Sequence, residues 1–227
     1  MKKLITGILI LSAFCIVFAN PAIAKKKNFK GTISYKISYD EGSIDENMKS
    51  MLPKLLKASF RGGLVKTEII SGMGKQVEIL NTKEKTTTSL LDIMGQKFSI
   101  KTSAQEIQDE ISKAPKTQII YTDETKEIAG YVCKKVIVKF KEKDSDTETE
   151  VIAYLAEDFS NEGVYLDNPV FNGIKGILLE FEINADEISM KFIATSVNKK
   201  NIPEKEFAVP EDFKETTKDE LQEMFGG

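Results

Sequence analysis

The chain has 227 residues, 41% of them hydrophobic and 30% charged. That balance supports a packed core in one domain and excludes wholesale disorder. A net charge of −3 gives no electrostatic footprint for nucleic acid, and the absence of histidine removes the usual base partner of a nucleophile.

The first predicted element is an export signal. Lys2 and Lys3 precede an apolar run from Leu4 to Phe18. Asn20 and Pro21 break the run, and Ala22-Ile23-Ala24 fits the small-x-small cleavage rule. The run is shorter than the roughly 20 residues of a spanning helix. Residues 1–24 are therefore read as a signal peptide, cleaved after Ala24, and residues 25–227 as one mature domain, periplasmic or secreted. An uncleaved anchor is the rival reading. Cys15 lies inside the apolar run, so Cys133 is the one thiol left after cleavage, and no internal disulfide can form.

Phe29 to Tyr39 alternates apolar and polar residues and predicts a strand. Ser43 with Glu46 makes a capping box, and Met48, Met51, Leu52 and Leu55 follow at helical spacing. Pro53 should kink or split that helix. Short strands are predicted over 64–71, 75–82, 86–92 and 96–102, with turns at Gly72-Met73-Gly74 and near Gly95. Ser103 with Glu106 opens a second helix carrying Ile107 and Ile111, closed by Pro115.

A strand at 117–122 leads into Glu127 to Phe140, where Gly130 suggests a bulge or bend. Val132, Val136, Val138 and Phe140 form its expected dry face; Tyr131, Cys133, Lys135, Ile137 and Lys139 form the mixed one. A strand over 149–155 follows a turn at Asp144-Ser145-Asp146. Residues 157–175 are a long connection carrying Phe159, Tyr165 and Phe171. Strands at 176–183 and 187–197 make the last hairpin. Phe207 to Pro210 is expected to be extended, and Thr217 with Glu220 caps a final helix.

About ten strands and three short helices result, an α+β but mainly β chain whose turns favour an antiparallel meander. Most strands offer several apolar side chains on one face, and the few short helices can cover only part of such a sheet. The sheet must curl on itself, pair with a second sheet, or keep an apolar hollow under a cover.

The signal peptide, the first strand F-x-G-x-I-x-Y (Phe29, Gly31, Ile33, Tyr35), the I-A-G-Y-x-C-K-K run (Ile128 to Lys135) and A-Y-L-A-E-D (Ala153 to Asp158) occur together. In these features the chain resembles the exported bacterial proteins of domain-of-unknown-function family 4412. Their layout is similar to the lipoprotein carriers LolA and LolB. The resemblance implies a strongly curved antiparallel sheet, an unclosed β-barrel, with helices on its concave side. In the carriers that hollow receives lipid acyl chains. The carriers also use a cavity-facing arginine to hold the cover shut. Arg61, the one arginine here, lacks a surrounding motif that would make it the counterpart.

No residue pattern supplies a catalytic centre, and no cofactor is expected. Cys133, with no histidine to act as base, reads as a small buried apolar group. Asp144, Asp146, Glu148 and Glu150 lack the central glycine and terminal glutamate of a calcium loop. Gly72-x-Gly74-Lys75 lacks the frame of a phosphate-binding loop.

The expected function is non-enzymatic: an exported protein binding a lipid or lipoprotein acyl chain within the curved sheet. The expected wall is Ile33, Tyr35 and Ile37; Val136, Val138 and Phe140; Leu179 and Phe181; and Met190 and Phe192. Met48, Met51, Leu52 and Leu55 are the candidate lid, and the aromatic connection 157–175 is a second candidate gate. The alternative is a filled barrel acting as a structural or protein-interaction module of the cell envelope.

Overall fold

The alternation of the first predicted strand is realised in β1 (Gly31–Tyr39), whose Ile33, Tyr35 and Ile37 are buried. This computed structural model describes residues 28–40, 44, 49–72, 74–141, 148–185 and 188–225. The expected signal segment, the Ser43–Glu46 capping box, Met48 and the expected Asp144-Ser145-Asp146 turn lie outside the described residues.

The remaining strands, in chain order, are β2 (Leu55–Arg61), β3 (Leu64–Ser71), β4 (Gly74–Asn81), β5 (Thr86–Ile93), β6 (Gln96–Thr102), β7 (Thr117–Ile128), β8 (Tyr131–Lys141), β9 (Glu148–Ala156), β10 (Ile177–Ala185), β11 (Ile188–Lys199) and β12 (Lys214–Glu215). Helix α1 (Ala104–Lys113) lies between β6 and β7, and α2 (Lys218–Phe225) follows β12. Both helices start at the expected boxes: the Ser103 amide donates to Glu106 Oε2 at 2.7 Å, and the Thr217 amide to Glu220 Oε2 at 3.1 Å.

The strands form one sheet in the order β12-β6-β5-β4-β3-β2-β1-β11-β10-β9-β8-β7. Every pairing is antiparallel except the short β12 beside β6. The sheet is strongly curved and unclosed, with β12 and β7 as its edges. The F-x-G start is explained here: Gly31 has φ +151°, and a Cβ there would collide with the Asn198 carbonyl on β11.

Three expectations need correction. The sequence predicts helix through Leu55, but β2 begins there. Pro53 favours extended backbone before it, and Leu56, Ala58 and Phe60 then alternate inward with period two. Gly130 marks a tight turn and not a bulge. Ala129 and Gly130 both have positive φ, and Ile128 pairs with Tyr131, which is a two-residue hairpin of the I′ kind. The bulge lies instead between Tyr121 and Thr125.

Burial at the start of β8 is also reversed. Val132 is 58% exposed, while Cys133 is fully buried. Past the β7 bulge, the hairpin tip curls back to β10 and β11. Lys126 reaches Glu180 at 2.6 Å, and Lys199 sits 5.1 Å over the Tyr131 ring. That curl encloses the Cys133 side at this end, with Ala156 and Ile177 beside it in register. Burial disfavours the Glu180 charge, but hydrogen bonds from Lys126 and Lys191 outweigh it and hold the carboxyl below its ordinary value.

Candidate ligand cavity

The concave face is covered mainly by the segment 157–176 between β9 and β10, the aromatic connection of the sequence. Its local order comes from three side chains. Asn168 Oδ1 accepts from the amides of Val170 and Phe171 at 3.0 Å each. Asn161 ties the segment to the chain before β1, accepting from the Phe29 amide at 2.7 Å and donating to its carbonyl. The Leu178 amide donates to the Tyr165 hydroxyl at 2.7 Å, and the Tyr35 hydroxyl donates to the Leu178 carbonyl at 2.9 Å. Those two tyrosines satisfy backbone beside the register shift in β10. Burial pushes both phenols up, so they stay neutral donors and acceptors.

Over β8 and β9 the cover fills the sheet. Phe171 and Ile174 pack on Val136, Val138, Ala153 and Leu178, all buried. Over β1 to β4 and the ends of β10 and β11 it does not. A cavity of about 360 Å³ remains there. Its floor is Tyr35 and Ile37 from β1, Leu56 and Ala58 from β2, and Thr67 and Ile69 from β3. Phe181 and Phe192 close one side, their rings stacked 4.7 Å apart, with Ile183 and Met190 beyond them. Val164, Tyr165, Asp167, Asn168 and Phe171 of the cover line the side facing the sheet.

One wall carries charge. Glu78 on β4 and Asp167 of the cover line the cavity, both half-buried, with their carboxyl groups hydrogen-bonded to each other. Two carboxyl groups can share such a bond only if one keeps its proton. Burial first, then the Asp167 charge, pushes Glu78 up to about 7; burial also raises Asp167. Lys218 of α2 opposes the shift at Glu78, and Glu110 of α1 adds to that at Asp167. Lys218 and Glu110 are themselves paired at 2.8 Å, outside the cavity wall. Among the described residues lining the cavity there is no lysine or arginine.

The structure separates the expected wall into two groups. Tyr35, Ile37, Phe181, Met190 and Phe192 line the cavity. Ile33 and Leu179 are packed solid in the adjoining core, and Val136, Val138 and Phe140 lie in the filled part under Phe171 and Ile174.

Of the candidate lid, the described residues Met51, Leu52 and Leu55 do not line the cavity. Leu55 is 63% exposed, and with Leu52 it borders a groove on the outer face beside Ile70. Met51 is exposed as well. Arg61 also faces outward, donating to the Ile202 carbonyl at 2.6 Å and to Asn201 Oδ1 at 3.0 Å. There it pins the segment whose Ile202 and Phe207 cover Val77 and Ile79 on the convex side. Glu78 and Asp167 were not among the sequence candidates. The signal available was one acid inside the apolar run Val77-Glu78-Ile79-Leu80.

No family model and no curated protein matches the chain. Among solved structures, the crystal structure of LprF from Mycobacterium bovis aligns with a TM-score of 0.33 at 10% identity, covering 82% of this chain and 90% of that one. The alignment is too slight to carry an argument. The class of protein rests on the molecule itself: a mainly β domain whose unclosed curved sheet holds an apolar hollow. Among the described residues no helix is long and apolar enough to cross a membrane, and no three metal-ligating side chains converge.

Proposed function

We propose that this is an exported, non-enzymatic binding protein that takes the apolar part of a lipid, or a lipoprotein acyl chain, into the hollow of its sheet. The observation that supports the reading most is the cavity itself. At about 360 Å³, walled mainly by aliphatic and aromatic side chains, it falls in the range of small-ligand pockets. Binding would come from burial of apolar area, at roughly 25 cal/mol per Å², with no covalent step. An unclosed curved sheet is also what the resemblance to family 4412 and the LolA-like carriers implies. The export signal gives the reading a periplasmic or secreted setting.

The exposed Met51, Leu55 and Ile70 on the outer face favour a second reading, an interaction module of the envelope. A neutral naphthalene dye that brightens in apolar surroundings separates the two. The first reading expects saturable uptake by the mature protein, lost when Ala58→Leu fills the cavity floor. The second expects no saturable uptake by either protein.

A further inference from the structure

We infer that the ligand is a cationic amphiphile, with an alkyl body in the hollow and a protonated amine against Glu78 and Asp167. The inference rests on the reading of the cavity as a ligand site. Two acids and no lysine or arginine line a mainly apolar cavity. They come from opposite sides, Glu78 from the sheet and Asp167 from the cover, so both reach the same space.

The two carboxyl groups hydrogen-bond to each other, and that bond needs a proton kept on one of them. An ammonium group has three donors and one positive charge. Placed between the carboxyl groups, it would supply what the shared proton supplies and let both ionise. An anionic head in that place would face two acids in a medium that screens poorly, with Glu110 as a third acid behind Asp167. Lys218, the lysine whose charge acts on Glu78, is already bonded to Glu110. The cavity therefore selects by head group as well as by tail.

The test uses the mature full chain and two probes with the same tail, dodecylammonium and dodecanoate, each displacing the neutral dye. Dodecylammonium is expected to displace it at about tenfold lower concentration, a difference of about 1.4 kcal/mol. In the double variant Glu78→Gln, Asp167→Asn the ratio should fall towards one, with each ratio referred to that protein's own dye uptake. Equal or better displacement by dodecanoate overturns the inference, as does a ratio that survives the double variant.

A second measurement needs no variant. Calorimetry of dodecylammonium binding at pH about 6.5 in two buffers of different ionisation enthalpy should show net proton release, because a cation favours the ionised pair. No release, or uptake, overturns the inference. If the dye itself is not taken up, the cavity reading fails, and this inference with it.

Discussion

The two parts of the concave face share one sheet and one cover, yet one is solid and the other hollow. Over β8 and β9 the cover sends down Phe171 and Ile174, both almost completely buried. Over β1 to β4 it presents Val164, Asp167 and Asn168, which are shorter or polar, and although Tyr165 and Phe171 also line the space the floor is left unfilled. The strands beneath do not differ in kind, since Val136 and Val138 are as apolar as Ile37 and Leu56. The side chains of the cover decide where the sheet is core and where it is cavity.

The largest effect should come from opening the filled part. Phe171→Ala removes a ring buried against Val136, Leu178 and Phe181 and should cost about 3–5 kcal/mol in urea unfolding. A cost below about 1 kcal/mol would mean that this part is as loose as the other and would erase the contrast.

The acid wall should give the next effect. Glu78 holds its proton more tightly folded than unfolded, so its stabilising contribution is present in the acid range and is lost as pH rises towards about 7 and above. Asp167 is shifted in the same direction. Because the pair titrates together, stability should fall by roughly 1–3 kcal/mol between pH about 5 and 8. Glu78→Gln should flatten that fall, measured as urea midpoints across the same range.

A matched pair of substitutions addresses the contrast itself. Ala58→Leu adds bulk to the hollow and should change stability by less than about 1 kcal/mol, or raise it. Ala153→Leu makes the same change in the filled part, where Ala153 is fully buried, and should cost about 1–3 kcal/mol. Equal costs at the two sites would contradict the assignment.

The smallest effect is an absence of reaction. Burial, followed by the nearby Glu180 charge, pushes the Cys133 thiol up to about 12. A thiol reagent should leave the native protein unlabelled over hours and label it fully in denaturant.

Much of the sheet was legible in the sequence because strand faces repeat every two residues, as in β1, β10 and β11. β2 was not, since Ala58 and Ser59 are small, and the methionines and leucines before Pro53 carry a helical spacing. At Val132 and Cys133 period two held, but the curl of the hairpin tip chose the face to bury. The division of the expected wall was hidden for a different reason. Whether Val138 or Ile37 faces a void depends on where Phe171 lands, and only the folded cover fixes that. Glu78 and Asp167 meet across the cavity from distant parts of the chain, and neither has a local pattern that points to the other.

The most direct test of the central claim is native mass spectrometry of the protein isolated gently from bacterial cells. The account expects a bound mass that organic extraction removes, and that Ala58→Leu prevents from accumulating. A clean, unliganded mass for the unaltered protein, with no dye uptake afterwards, would contradict it.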